Sequence, residues 1–255
     1  MVDTERIETK CVAILQARMS SKRLPGKVLM RINEIPMLEL QLSRIKRTKN
    51  ISKIVVATSH EESDDLIAFL CEKLAIDCHR GSLNNVLSRF TSYLRKHKYD
   101  SVVRLTADCP LFMPDLCDEM IGEFNKGNYD YYSNTIKPTY PDGLDIEIIR
   151  GKALMDLEQM DLTNLEKEHV TLGFHSRTRE FKTGNHENKI DQSNLRWTVD
   201  NMTDFNFISL IYGNFVKRES EINFEDVMRF LINNPVVTNY LNRDGKGIKK
   251  DLGNN

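Results

Sequence analysis

Four cations, Arg18, Lys22, Arg23 and Lys27, follow directly on an apolar run in VAILQARMSSKRLPGK (12–27). Guanidinium and ammonium groups gathered this densely form a receptor for a polyanion, and a nucleoside triphosphate is the candidate. The run before them, Cys11, Val12, Ala13, Ile14 and Leu15, has the pattern of a strand buried on both faces in the middle of a parallel sheet. Open α/β sheets bind ligands in the crevice at the carboxyl ends of their strands, which is where this loop falls. Gly26 is the loop's one glycine, and the G-x-x-x-x-G-K-[ST] spacing of a P-loop is missing. Phosphates would therefore be held by side-chain charge with help from backbone N–H groups. A solvated basic loop behind a core strand is the other reading of these residues.

Two carboxylates stand just after predicted strands, Asp108 in RLTADCP and Asp200 in LRWTVD. If both strands belong to one sheet, both acids reach its carboxyl-end crevice and face the basic loop. Carboxylate and phosphate oxygens together are what Mg²⁺ uses, and the metal would neutralise charge that develops as an α-phosphate is attacked. Taken singly, an Asp after a strand also serves as a helix cap or turn former. A second candidate is GSLNNVLSRF (81–90), a turn into a helix. It either lays backbone donors and Arg89 against a base or ribose or is a capped helix with a surface arginine. YPDGLDIEI (140–148) reads as a turn at Pro141-Asp142-Gly143 entering a strand. Alternatively, it is a rim whose Tyr140, Asp142, Asp145 and Glu147 contact a second substrate. In EKEHVT (166–171), Glu168 and His169 face a substrate or partner, or His169 is structural.

The elements that must position these groups alternate strand and helix. A hairpin around Asn33-Glu34 is expected within 28–35, then a helix after Pro36 with Met37, Leu38, Leu40, Leu42 and Ile45 on its apolar face. Strands are expected at 54–58, 77–81 and 101–106, and helices at 61–74, 86–93 and 114–127. Short links between them argue for right-handed βαβ crossovers and a mostly parallel sheet. From Asn134 the texture changes, and 134–188 reads as an excursion from the main sheet, including a helical stretch over 153–174. The chain then returns through 181–185, a strand at 195–199, and helices at 203–216 and 224–232. Trp197 is expected in the core. One domain is expected over 1–240, with a mobile polar tail at 241–255.

The 255 residues, 40% hydrophobic and 29% charged, describe an ordinary globular chain able to bury a large core. A formal net charge of −1 supplies no global basic field, so nucleic acid is not an expected partner. MVDTERIETK at the start has no apolar h-region of a secretory signal, and no run is long enough for a membrane span. The five cysteines, Cys11, Cys71, Cys78, Cys109 and Cys117, are odd in number with no C-x-x-C pair, which fits free thiols in a reducing cytoplasm. A zinc site at Cys71, Cys78 and His79 lacks a fourth ligand at metal spacing.

Assembled in order, QARMSSKRLPGK, IVVATS, RGSLNNVLSRF, VVRLTADCPL, YDYYSNT, TYPDGLDIEI, KEHVT and LRWTVD resemble the sugar nucleotidyltransferases that activate acidic sugars with CTP. The resemblance is nearest the branch named for the spore coat protein SpsF and covers about Cys11 to Ile211. It implies a Rossmann-like nucleotidyltransferase sheet of the glycosyltransferase A type. The implied reaction condenses CTP with a sugar hydroxyl, with Mg²⁺, giving a CMP-sugar and pyrophosphate. By motif position, Arg18, Arg23 and Lys27 would hold the triphosphate, and Asp108 and Asp200 the metal. Ala13, Gln16 and Ala17 would border the nucleotide, and Arg80, Gly81, Ser82 and Arg89 would lie near base and ribose. A homodimer through 134–188 is implied as well. The chain departs from the pattern at Asn85, where the branch has Asp, at Leu172-Gly173, where a Pro is usual, and at Trp197. A glycosyltransferase using a ready-made nucleotide sugar would normally show Asp-x-Asp, and TADCP supplies one of those two acids. A non-catalytic nucleotide-binding subunit would have no need of two placed carboxylates.

Overall fold

The structure, a computed structural model, describes residues 10–237. The polar start, 1–9, and the expected mobile tail, 241–255, lie outside the described residues. In chain order the strands are β1 (Cys11–Gln16), β2 (Arg31–Ile32), β3 (Ile35–Pro36), β4 (Lys53–Ser59) and β5 (Asp77–Gly81), then β6 (Ser101–Thr106), β7 (Tyr131–Ser133), β8 (Glu147–Arg150) and β9 (Thr183–Asn185). The helices are α1 (Met37–Ile45), α2 (Asp65–Lys73), α3 (Val86–Lys96), α4 (Pro114–Gly127) and α5 (Gly151–Glu158), then α6 (Asn164–Glu168), α7 (Leu172–Ser176), α8 (Met202–Asn214) and α9 (Phe224–Asn233).

Strand order in the main sheet is β5-β4-β1-β6-β8-β7-β9. β5, β4, β1 and β6 are mutually parallel. β8 runs antiparallel to both β6 and β7, and β9 runs parallel to β7. β1 shows why the sequence forms this core. Cys11, Ala13 and Leu15 pack on one face against apolar residues of α1, α2 and α4. Val12 and Ile14 pack on the other against α3, α5 and α7. Each fully buried aliphatic side chain contributes roughly 1.5–3 kcal/mol, and a one-residue slip would exchange the two faces. A third cluster joins α8 and α9 to the β2-β3 hairpin and encloses Trp197, which is the core aromatic the sequence predicts.

The first six expected elements fall within a few residues of their predicted bounds. The hairpin turns at Asn33 and Glu34, both at positive φ (48° and 65°), as a tight right-twisting hairpin requires. Three expectations change. The 134–188 stretch leaves the sheet only in part, because its β8 and β9 return to complete it beside β6 and β7. The helical stretch 153–174 is three short helices. Thr163 begins α6 with a reciprocal capping box to Glu166, and Val170 at φ 49° breaks the chain again before α7. Finally, 195–199 is not a ladder strand; one parallel bridge joins Arg196 to Asp142, and the Asp142 and Asp108 carbonyls take the N–H groups of Trp197, Thr198 and Val199.

Candidate active site

The basic loop leaves the end of β1 and is fastened beneath β4. Ala17 N–H donates to the Ala57 carbonyl (3.1 Å), and Gly26 N–H to the Met19 carbonyl (2.9 Å). Asp64, 1% exposed, accepts from Met19 N–H (2.7 Å), the Thr58 hydroxyl (2.9 Å) and both the N–H and hydroxyl of Ser59 (3.1 and 2.5 Å). Burial opposes the charge on Asp64, but these donors outweigh it and hold the carboxyl below its ordinary range. Gly26 at φ +73° then turns the chain into Lys27.

Asp108 follows β6, and its carbonyl accepts from Val199 N–H (2.8 Å) and the Thr198 hydroxyl (3.2 Å). The Asp142 carbonyl takes Trp197 N–H (2.6 Å) and Thr198 N–H (2.9 Å). That approach needs Gly143, at φ +111°, since a Cβ there would stand 2.4 Å from the Thr198 nitrogen. These main-chain bonds carry Asp200 to Asp108. Asn201 then caps α8 reciprocally with Asp204, and Asp204 also accepts from Asp200 N–H (2.8 Å).

Lys27 lies at the point of convergence. Its ammonium donates to Asp108 Oδ2 (2.9 Å), Asp200 Oδ1 (3.1 Å) and the Val199 carbonyl (2.6 Å). Only 7% of the residue is exposed. Burial pulls the Lys27 pKa down, and the two acids more than reverse that, leaving it raised. Burial likewise pushes Asp200 up, while Lys27 and Arg196 pull it below its usual range. Asp200 Oδ2 also meets Arg23 (2.8 Å) and Arg196 (2.5 Å). Arg196 reaches on to Asp142 (2.9 Å) and Asp204 (3.4 Å).

This cluster opens on a cleft of about 530 Å³. Of the residues singled out from the sequence, Gln16, Ala17, Arg18, Arg23, Lys27, Arg89, Asp108, Asp142, Asp145, Glu168, His169 and Asp200 line it together. Arg18 reaches Glu168 across the mouth (3.5 Å). Arg89 is 2% exposed and spends its guanidinium on the Ser82 and Leu83 carbonyls (2.6 and 2.9 Å). Burial lowers its pKa to about 10.

Six expected residues lie outside the cleft lining. Ala13 is sealed in β1. Arg80 is committed to the Ser59 and Glu61 carbonyls and to Asp65. Gly81 lies against Arg89, whose Cγ would be 2.9 Å from an added Cβ. The Ser82 hydroxyl accepts from Asn85 N–H (3.0 Å). Asn85 itself caps α3 through Ser88 N–H (3.1 Å), a task its amide oxygen performs without a negative charge. Tyr140 borders a second cavity of about 690 Å³ and meets His186 Nε2 (3.2 Å). Glu147 is a buried structural acid, paired with Arg104 and accepting from the Tyr131 hydroxyl (2.6 Å). The sequence reading missed Arg104, Arg196 and Asp64. A lone cation inside an apolar strand pattern, as in SVVRLT and LRWTVD, was the available signal for the two arginines.

Among the described residues no three or more His, Cys, Asp or Glu side chains gather as a metal cage. Asp108 Oδ2 and Asp200 Oδ1 nevertheless converge on the Lys27 ammonium, and two carboxylates completed by phosphate oxygens and water suit Mg²⁺. No described helix is long and apolar enough to cross a membrane.

The family model described as cytidylyltransferase matches residues 12–220. Spore coat polysaccharide biosynthesis protein SpsF of Bacillus subtilis is 30% identical over 231 residues, covering 87% of this chain and 94% of that protein. A solved cytidylyltransferase from Leptospira borgpetersenii superposes with a TM-score of 0.85 at 29% identity, covering 90% of this chain and 96% of its own. CMP:2-keto-3-deoxy-manno-octonic acid synthetase complexed with CTP shares the fold, with a TM-score of 0.62 at 14% identity over 81% of this chain and 99% of that one. With a cleft built at the strand ends and a family match over most of its length, the chain belongs to the cytidylyltransferase family.

Proposed function

We propose that this protein transfers CMP from CTP to a hydroxyl of an acidic sugar, releasing pyrophosphate, in the synthesis of a surface polysaccharide or glycan. One observation carries the reading: Asp108 and Asp200, ninety-two positions apart, meet at Lys27 on the wall of a cleft that Arg18, Lys22 and Arg23 also line. The sugar oxygen attacks the α-phosphorus in line, the bond from that phosphorus to the bridging oxygen breaks, and pyrophosphate leaves with the electron pair. The attacking hydroxyl loses its proton to solvent. Arg18, Arg23 and Lys27, with Lys22 beside them on the cleft, bind the triphosphate and offset charge on the leaving group. Asp108 and Asp200 would hold Mg²⁺, which when bound neutralises phosphate charge and lowers the barrier to attack. Arg196 fixes Asp200, and the walls at Gln16, Thr106, Asp142, Asp145, Glu168 and His169 position the acceptor. Two copies paired through 134–188 complete the proposal.

Purified protein with Mg²⁺, each of four nucleoside triphosphates and a panel of acidic sugars tests this by pyrophosphate release. CTP with an acidic sugar is the expected productive pair. Free nucleoside diphosphate released from a ready-made nucleotide sugar would favour glycosyl transfer instead, and CTP binding without turnover would favour a sensing subunit.

A further inference from the structure

An ammonium has three N–H donors. Those of Lys27 meet three acceptors, Asp108 Oδ2 at 2.9 Å, the Val199 carbonyl at 2.6 Å and Asp200 Oδ1 at 3.1 Å. All its donor capacity is spent inside the acidic notch. While it stays there it has nothing to offer a phosphate, although its position in the basic loop gives it that role by sequence. Its root is fixed by the left-handed Gly26 and the 3₁₀ turn Lys27–Leu29, so the four-carbon stem is what can move.

We infer that Lys27 is a built-in counter-ion that holds Asp108 and Asp200 together, and that a divalent cation enters their notch only with a nucleotide whose phosphates draw the ammonium away. The inference rests on the metal-binding reading of the two acids. Two cations cannot share the same pair of carboxylate oxygens without strong repulsion at this degree of burial. Leaving the notch costs Lys27 two ion pairs, and a metal alone gives the ammonium no replacement. A triphosphate would, because Arg18, Lys22 and Arg23 line the same cleft and its phosphates carry enough negative charge for a fourth cation. Lys27 is thus a positioning residue before the nucleotide arrives and a phosphate ligand afterwards.

The test is Mn²⁺ binding by electron paramagnetic resonance, using the full chain with and without α,β-methylene-CTP. Wild-type protein alone should bind Mn²⁺ weakly, and Lys27→Met alone at least about tenfold more tightly. Lys27→Met/Asp108→Asn should lose that gain. A merely structural lysine would not raise metal affinity when removed. Equal affinity in wild-type and Lys27→Met, with both lowered by Asp108→Asn, overturns the inference and leaves the metal reading standing. If Asp108→Asn changes nothing even with nucleotide present, the metal reading itself falls. Should Lys27→Met not fold, ¹⁵N resonances of lysine ammonium groups in wild-type protein decide the matter. A protected Lys27 signal should be present in protein alone and should shift or vanish with the nucleotide analogue. An unchanged signal overturns the inference.

Discussion

Two buried charge clusters flank the carboxyl end of β6, and they differ in kind. At Glu147 both carboxylate oxygens end on fixed donors, Tyr131 and Arg104, and the side chain is 7% exposed. Arg104 is steadied by Gln16 (3.2 Å), and Tyr131 by His175 (3.1 Å). Burial opposes the charge on Glu147, yet Arg104 and Tyr131 keep its pKa lowered. At Asp108 and Asp200 the contacts are open to solvent on one side. The Asp108 side chain is 29% exposed, and Arg23, 66% exposed, reaches Asp200 from open solvent. Burial and ion pairing are common to both. What separates a structural cluster from a chemical one is whether an incoming anion or cation can take over one of its contacts.

The sharpest way to break this contrast is to make parallel substitutions. Asp200→Ala should cut pyrophosphate release by about 10³-fold, roughly 4 kcal/mol of transition-state stabilisation, with the fold intact by circular dichroism. Wild-type turnover in that variant would remove Asp200 from the mechanism. Glu147→Gln should do the reverse, costing about 3 kcal/mol of stability in urea denaturation by leaving Arg104 uncompensated, with turnover retained by the folded fraction. If Glu147→Gln instead abolished turnover at full stability, the two clusters would not differ as described. Arg18→Ala should raise KM for CTP about tenfold. Its charge is half exposed, so that effect should shrink as salt rises.

The smallest effect is on pH dependence. Asp200 has a folded pKa below its unfolded value, so its stabilisation is present above the unfolded value of about 3.9 and is lost as pH falls through the folded one. Lys27 has a raised folded pKa, so its contribution is present below about 10.4 and is lost as pH rises through the folded value. The stability difference between wild-type and Asp200→Asn should therefore be flat between these limits and shrink on acidification. A difference that grew toward low pH would contradict the assigned partners.

Much of this fold was legible because it is local. Cys11–Leu15 could be read as a buried strand from five apolar residues, and Pro114–Gly127 as a helix from a proline at its start. The cleft was legible for a related reason: Arg18, Arg23, Lys27 and Asp108 lie in segments that follow strand ends, where an α/β sheet assembles its ligand site, while Asp200 reaches them through main-chain bonds to the 108 and 142 loops. The illegible parts depend on contacts between distant residues. Whether Glu147 faces a substrate or pairs with Arg104 depends on β8 inserting antiparallel between β6 and β7, which no local pattern announces. Lys27 belongs to the same class. Its residue type announces a cation, but its partners arrive from positions 108 and 200.

The segment bearing Asp200 has a consequence for how the enzyme could diversify. That carboxylate is mounted on no regular strand; it hangs from the 141–143 turn through main-chain bonds to Asp142, with Gly143 making room. Asp142 and Asp145 face the same cleft. The wall that would sort acceptors and the bracket that would aim a metal ligand are therefore one piece of chain, and remodelling this turn for a new sugar would re-aim the chemistry at the same stroke.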